Sequence, residues 1–423
     1  MIEWIVLIAS IPGILFCLYH AAILLVGSLK KLPPIPHAKP VKRLAAVIPA
    51  RNEAQVVGRL VESLWKQNYP RALMDVFVVP NNCTDDSEAV AKAAGAQILT
   101  CSGEIHCKGD VLRLAFEKLL KDERHFDAFV IVDADNVVDA GFFQAVNNAL
   151  CAGYEVGQAY RDSKNPAGSW VASCTSIFFW FMNRLYNRSR AALGMNAALN
   201  GTGIMIGAAY LRRHGYRTQT LTEDLEVTAQ CALAGEKIAW MPEAITFDEQ
   251  PLTIRDSFTQ RRRWAAGTRQ CMTRYMGKLF KAAPGCASCF DVGMLFSSIL
   301  GQVLSIIPFG YTAWRLLAGA ASGSAQGRTE LLGTLALCVI GFFAAGVVFA
   351  AFLCALEGKL KGHRLRAMLT MGLYLVTWVP ANLIGILMRA PKWKVIPHTD
   401  AVGIDQCEAE DVQVEASERG EPS

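Results

Sequence analysis

The chain reads as an α/β domain, a mostly parallel sheet flanked by helices, combined with an α-helical transmembrane region. Two observations predict this. In the middle of the sequence, short β-branched runs alternate with helical patterns, as in successive βαβ units. Around that middle, four uncharged stretches (4–29, 292–314, 331–356 and 367–388) are each long enough to cross a hydrocarbon core of roughly 30 Å. Composition agrees, since 52% hydrophobic and 19% charged residues are too apolar for an ordinary soluble enzyme.

The first stretch has no basic segment before it and no small-residue cleavage site after it, and Glu3 precedes it, so it reads as an uncleaved anchor. The expected organisation is an anchor at 1–31, a domain at 32–280 with an interfacial helix around 253–280, membrane helices at 281–390 and a mostly disordered tail at 391–423. Lys30, Lys31, Lys39, Lys42 and Arg43 follow the first stretch, and Lys359, Lys361, Arg364 and Arg366 lie between the last two. Basic flanks stay on the cytosolic side, which predicts a multi-pass protein of the cell membrane with a cytosolic domain. The thirteen cysteines then read as reduced thiols, mostly small core residues. Cys286 and Cys289 form one C-x-x-C pair, with no second pair to complete a zinc site.

One count does not close. If the basic segment 389–394 is also cytosolic, an even number of spans must follow the domain, yet three stretches do. Either the tail ends outside or one stretch lies in the interface, and 292–314, with Gln302, Pro308 and several serines, is the most doubtful span.

Within the domain, 44–48, 76–79 and 129–132 are the clearest strands, and each ends in a polar cluster: Pro-Ala-Arg-Asn-Glu at 49–53, Asn-Asn-Cys-Thr-Asp-Asp at 81–86 and Asp-Ala-Asp-Asn at 133–136. Ligands of open α/β sheets bind at such carboxyl ends. No G-x-G-x-x-G or P-loop is present. Asp133 and Asp135, two residues apart beyond a buried strand, suit Mg²⁺ or Mn²⁺ held against a diphosphate, and equally suit an Asp-rich turn. Thr222-Glu223-Asp224 has a second reading as a capped helix start. Gln260-Arg261-Arg262-Arg263-Trp264 has one as a basic face or lipid-headgroup contact. The aromatic run 177–181 is too short to span a membrane and reads as core before bilayer surface. The net charge of +5 sits largely beside the spans and in the Gln260–Trp264 segment, so anionic lipids and phosphates explain it better than nucleic acid.

Order and company change these weights. From about residue 44 to 275 the chain resembles family 2 glycosyltransferases, particularly the membrane synthases of cellulose, hyaluronan and poly-N-acetylglucosamine. The resemblance is carried by Pro-Ala-Arg-Asn-Glu, Asn-Cys-Thr-Asp, Lys108-Gly109, the D-x-D, Gly201-Thr202-Gly203, the T-E-D and Q-R-x-R-W. It implies a GT-A-type fold and an inverting, metal-dependent hexosyltransferase that adds sugar from a UDP-sugar to a growing β-linked polysaccharide. The alternative is transfer of one sugar to a lipid-linked acceptor. A catalytically dead transporter is a third class, opposed by the absence of carboxylates from the four stretches.

By the same resemblance, Glu53 and Asn81 hold the uridine, Asp133 contacts the nucleotide, Asp135 ligates the metal and Lys108 neutralises phosphate charge. Asp224 is the general base, Gln260 and Arg263 clamp the diphosphate, and Trp264 with Glu223 meets the acceptor. Asn81 departs from the family pattern, standing where many relatives carry aspartate; its amide still offers a donor and an acceptor to a base edge. Trp393 and His398 resemble a C-terminal W-x-x-x-x-H of some relatives. Membrane lipids are expected partners; the transferred sugar, the linkage and any accessory subunits are not specified.

Overall fold

The computed structural model describes residues 2–321, 325–360, 364–387 and 402–407. Trp393, His398, the basic segment 389–394 and most of the tail lie outside the described residues.

The expected strands are present as β1 (Leu44–Ala50), β2 (Met74–Pro80) and β4 (Ala128–Ile131). β1 lies between the other two, parallel to both, with Ile48 opposite Val78 and Val47 opposite Ile131. Short β3 (Gln97–Ile98) extends this half in parallel. The other half is mixed. β7 (Ile204–Gly207) runs antiparallel to β4 and to β6 (Val156–Ser163), β8 (Ile238–Asp248) runs parallel to β6, and β5 (Val137–Val138) closes the far edge antiparallel to β8. The full order is β3-β2-β1-β4-β7-β6-β8-β5. The sheet is therefore parallel where β-α units follow each other and mixed where the chain returns along β7 and β5.

Both faces of β1 are covered, so its sequence is a continuous apolar run, not an alternating one. Ala46 and Ile48 join Val76, Val78 and Val130 under α2 (Val57–Trp65), α3 (Ser87–Ala93) and α5 (Phe142–Cys151). Ala45 and Val47 join Phe77, Phe129 and Ile131 under α4 (Lys108–Leu119), α8 (Ala208–His214) and α9 (Glu223–Ala234). Each such fully buried Val, Ile or Phe contributes roughly 1.5–3 kcal/mol. This two-sided packing fixes the strand ends, where the polar clusters sit.

Outside the sheet, α1 (Ile2–Leu29) precedes the domain. Helix α6 (Trp170–Phe181) carries the aromatic run and passes through one π-helical turn (Met182–Asn187) into α7 (Arg188–Ala192). Val171, Cys174, Ile177 and Trp180 of α6 are buried against α13 (Ala325–Leu356) and α14 (Leu365–Val376). The long α10 (Ile254–Ala282) begins at Thr253, whose side chain accepts the Asp256 N–H, and is followed by α11 (Ala287–Phe296), α12 (Ser298–Ala321) and, after α14, α15 (Trp378–Leu387).

Three helical segments are long and apolar enough to cross a membrane among the described residues: Ser10–Leu29, Gln326–Leu356 and Leu365–Leu387. The expected span 292–314 is instead divided between α11 and α12. Its first part is domain structure: Val292 and Phe296 are buried against α9 and α10, and Asp291 forms a buried pair with Arg190 at 2.7 Å. Asp291 also accepts from Tyr19 of α1 at 2.8 Å, tying the first helix to the domain. All thirteen cysteines are free. The C-x-x-C pair is a helix cap: Cys286 Sγ accepts the Cys289 N–H, and the Cys289 thiol donates to Ala232 O at 3.2 Å.

Candidate active site

A cavity of about 880 Å³ opens at the carboxyl ends of β1, β2 and β4, and all ten residues singled out from sequence line it: Glu53, Asn81, Lys108, Asp133, Asp135, Glu223, Asp224, Gln260, Arg263 and Trp264. They come from six segments spread over more than 200 residues, and the topology converges them.

The turn after β1 is possible because Asn52 adopts left-handed backbone (φ 60°), a conformation asparagine tolerates. Its side chain accepts the Thr84 N–H at 2.8 Å, fastening the β1 turn to the β2 turn. The Glu53 N–H donates to Ser87 Oγ at 2.7 Å, and the Asn81 N–H to Ala50 O at 2.9 Å. Asn81 and Gln260 line the cavity, and Asn81 Oδ1 and Gln260 Oε1 are buried acceptors with no hydrogen-bond partner among the described residues.

Lys108 opens α4, whose first turn is capped reciprocally by Cys107 and Asp110. His106 and Cys107 therefore contribute to the cap, where their backbone N–H groups donate to Asp110 Oδ2 at 2.9 and 3.2 Å. Lys108 Nζ stands 2.5 Å from Asp133 and 3.3 Å from Glu223, and donates to Gly201 O at 2.6 Å. Burial works against its charge, but Asp133 and Glu223 outweigh it and hold the ammonium above its ordinary range. The Gly201-Thr202-Gly203 segment supports the D-x-D from behind. Thr202 Oγ1 accepts from the Asp133 N–H at 3.1 Å and from Asn136 Nδ2 at 2.8 Å. Gly203 has φ 63°, and a β-carbon there would stand 2.8 Å from Ala159.

Asp224 sits in the first turn of α9. Its carboxylate accepts the Leu225 N–H at 2.8 Å, and its pKa is raised to about 7, by burial first and by the neighbouring Glu223 charge second, against the pull of Lys108 and Arg161. Glu226, two residues on, does different work. It is fully buried and accepts from the Gln219 and Thr220 N–H groups and from Tyr275 OH at 2.7, 2.8 and 2.8 Å, pinning the loop before α9 to α10. Gly267 of α10 lets that helix approach, since a β-carbon there would meet Thr222 at 2.5 Å.

Along α10, Arg255, Thr259, Gln260, Arg262, Arg263 and Trp264 line the cavity. Arg261 turns away; it is buried, donates to Thr377 Oγ1 at 2.8 Å and lies 4.7 Å from the Tyr374 ring centre. The three arginines thus divide between the cavity and the helices behind it.

Sequence reading missed Arg161 and Asp248. Arg161 is on β6 and donates through Nε to Asp248 Oδ2 at 2.8 Å and through Nη1 to Asn200 O at 2.7 Å, with Phe179 stacked 3.9 Å from its guanidinium carbon. Asp248 ends β8, and its pKa is raised to about 6: burial dominates, Arg161 opposes it, and Asp135 and Asp133 add to it. The available signal was two adjacent charges, Arg161 and Asp162, inside an otherwise buried strand.

A divalent metal fits this donor set. Among the described residues no three His, Cys, Asp or Glu side chains form a closed metal site. A nucleotide-bound Mg²⁺ or Mn²⁺ needs only one or two carboxylates, with phosphates and water completing the shell. Asp133 and Asp135 line the cavity, and their joint repulsion of Asp248 marks negative charge that a cation would neutralise.

The α/β fold, a mixed sheet flanked by helices with a polar cavity at the strand ends, is GT-A-like. Residues 40–267 match the family described as "Glycosyltransferase like family 2", and the chain belongs to that family. It is 24% identical over 361 residues to a beta-monoglucosyldiacylglycerol synthase of Synechocystis sp., covering 80% of this chain and 70% of that one. It is 23% identical to the probable glycosyltransferase YdaM of Bacillus subtilis, spanning 57% of this chain and 59% of the length of that protein. Among solved structures, mannosyltransferase PcManGT from Pyrobaculum calidifontis, in complex with GDP-Man and Mn²⁺, superposes with a TM-score of 0.56 at 18% identity, covering 89% of this chain and 99% of that one. The GT-A-like fold is common to both.

Proposed function

We propose that the protein is an inverting glycosyltransferase that moves a sugar from a nucleoside diphosphate sugar, a UDP-sugar on the reading of Glu53 and Asn81, to an acceptor hydroxyl at the cytosolic face of the membrane. The observation that carries the reaction type is Asp224: a carboxylate facing the cavity with its pKa raised to about 7, suited to accept a proton near neutral pH. The acceptor oxygen bonds to the anomeric carbon as the bond to the diphosphate oxygen breaks, Asp224 takes the hydroxyl proton, and the nucleoside diphosphate leaves. Single displacement turns an α-linked donor into a β-glycoside. Lys108, Gln260, Arg262 and Arg263 meet the charge that develops on the leaving group, in a site where fixed cations act most strongly. Asp135, with Asp133 beside it, would hold a Mg²⁺ or Mn²⁺, which supplies charge neutralisation for the diphosphate.

For the acceptor, we infer a membrane-embedded lipid. Trp264, at the cavity wall, clusters with Phe178, Phe179 and Trp378, 6.2–6.4 Å between ring centres, so the cavity borders the apolar helices. The Synechocystis relative named for a glucosyl-diacylglycerol product supports this reading. Elongation of a β-linked polysaccharide is the second reading, favoured by the same Trp264 as a sugar platform. The test is nucleoside diphosphate release by purified protein across UDP- and GDP-sugars with Mn²⁺ or Mg²⁺, with diacylglycerol present and product length resolved. Single-sugar lipid products from one donor support the first reading, and long products move the assignment to the second. No release from any donor would overturn the transferase reading.

A further inference from the structure

Of the three candidate spans, Leu365–Leu387 differs from the others in what it touches. Its approach is held by the domain: the Lys359 ammonium pairs with Asp162, Tyr160 OH donates to Glu357 at 2.6 Å, and Arg364 lies 5.0 Å from the Trp180 ring centre. Along α14, the Cys174 thiol meets Ala367 O at 3.6 Å, and Thr175 Oγ1 lies 3.0 Å from Tyr374 OH. At the break between α14 and α15, Arg261 donates to Thr377, and Trp378 packs against Phe178 and Trp264. Near the end of α15, Gly385 lies so close to α10 that a β-carbon would stand 2.6 Å from both Ala265 and Arg262 O. Beyond it, Ile404 and Cys407 pack with Val137 and Phe247, and Asp405 pairs with Lys66 at 2.5 Å.

The chain is therefore on the domain before, during and after this segment. A single crossing would leave residue 402 on the far side. The fifteen residue steps from Leu387 to Val402 span at most roughly 50 Å when extended. The sequence between them carries Arg389, Lys392, Lys394 and Asp400 together with Pro391 and Pro397, and is too charged for a return through lipid. By contrast, α12 leaves the domain beside α1, where Gly301 approaches Phe16, and the candidate span in α13 comes back to the domain only at its end, at Glu357.

We infer that Leu365–Leu387 does not cross the bilayer but lies against the catalytic domain in the leaflet facing it, with phospholipid acyl chains covering its outward stripe of Leu365, Leu369, Leu373, Val376 and Val379. These five are exposed, uncharged and spaced at three and four residues on one helical face, while Ala367, Met368, Met371 and Tyr374 on the other face are buried. The leaflet as occupant follows from continuity: α14 packs directly on α13, with Gly372 in contact with Phe343 and Gly346, so the lipid around that span reaches the stripe. Exposed Arg366 at the start of the stripe suits phosphate headgroups. Since Trp378 of this element contacts Trp264, the leaflet borders the cavity wall.

The test uses the full chain in sealed membrane vesicles, with one protease-cleavable tag inserted at the exposed Gly153 turn of the domain and another at the C-terminus. An impermeant protease is expected to cleave both tags in one vesicle orientation and neither in the other. Cleavage of one with protection of its companion would overturn the inference. Should the Gly153 insertion disturb folding, carbodiimide treatment of the untagged protein in intact vesicles gives an independent readout: a Lys66–Asp405 linked peptide supports the inference, and its absence overturns it. Phospholipids carrying a photolabel near the headgroup or at the chain end test the stripe. Labelling of 365–379 from the shallow probe is expected, and equal labelling from both depths would favour a crossing helix.

Discussion

Two buried cation–carboxylate groups flank the Asp133–Asp135 turn, and they are built differently. Lys108 meets Asp133 and Glu223 across the cavity, and the Asp133 side chain keeps 36% exposure. Arg161 meets Asp248 at the floor of the same cavity, where the Arg161 and Asp248 side chains keep 12% and 3%. An ion pair open to water on one side can lose a partner and be solvated, whereas a fully enclosed one leaves an uncompensated charge. The first group is thus suited to exchange partners with a phosphate. The second is suited to hold the floor of the site in place, with Asn200 O and Phe179 completing its enclosure.

The largest expected effect lies between the two groups, at the residue both influence. Asp224→Asn is expected to lower turnover by roughly 10³-fold, within the range of lost general-base catalysis. The wild-type rate should rise with pH through about 7, as Asp224 loses its proton, and that limb should vanish in the variant. Stability should move the other way. A carboxyl whose folded pKa is raised from 3.8 to about 7 costs stability once ionised, and the cost grows as pH rises between those values. Asp224→Asn should therefore melt higher than wild type above pH 7, with the gap closing towards pH 4. An unchanged melting temperature at pH 8 would mean that Asp224 is not held in an environment hostile to its charge.

Next is Arg161→Met, which should destabilise by about 3–5 kcal/mol by stranding Asp248. Because Asp248 is already raised to about 6 with Arg161 beside it, losing the arginine moves it further up, so the damage should be larger at pH 8 than at pH 5. Adding Asp248→Asn should recover most of the stability at pH 8 in a denaturant titration. Failure of that rescue would break the distinction between the groups, since Arg161 would then act mainly through Asn200 O and Phe179.

These two groups also mark how far the sequence could be read. Lys108, Asp133 and Glu223 stand in loops and helix starts at strand ends, where a charged residue in a short polar cluster has no core to explain it. The covered parallel half of the sheet was legible for a related reason, because a strand buried on both faces must be apolar throughout, as 44–48 and 76–79 are. Arg161 and Asp248 lie at the return half of the sheet, 87 positions apart, and only the parallel register of β6 with β8 brings them together. Pairing of that range leaves no local pattern. The helical stretches show the same limit: length and apolarity identify 365–387 as a membrane segment, but its contacts with Thr175, Arg261 and Ala265 decide how it sits, and those partners are distant in sequence.

Lys108→Met tests the more open group. It should reduce donor turnover by about 10–100-fold, since a cation at the diphosphate is lost where leaving-group charge develops. A larger fall in kcat/KM for the nucleotide sugar than in binding of the free nucleoside would place the effect at the phosphates. Equal loss of both would assign Lys108 to holding the loop through Gly201 O instead.

The smallest expected effect on stability is that of Asp133→Asn, which sharpens the comparison most directly. Its carboxylate faces the cavity and water, and Lys108 retains Glu223 at 3.3 Å and Gly201 O at 2.6 Å when Asp133 is neutralised. The Asp133 N–H keeps Thr202 Oγ1, so the turn itself is not disturbed. Removing one negative charge also relieves Asp248, which Asp133 repels. These terms oppose each other, and the net change in unfolding free energy should stay within about 1 kcal/mol, as for a partly exposed pair. Turnover should nonetheless fall, because the nucleotide and metal side of the cavity loses a carboxylate. A loss of several kcal/mol instead, comparable to that of Arg161→Met, would mean that the two charge groups form one enclosed network and that water does not reach Asp133.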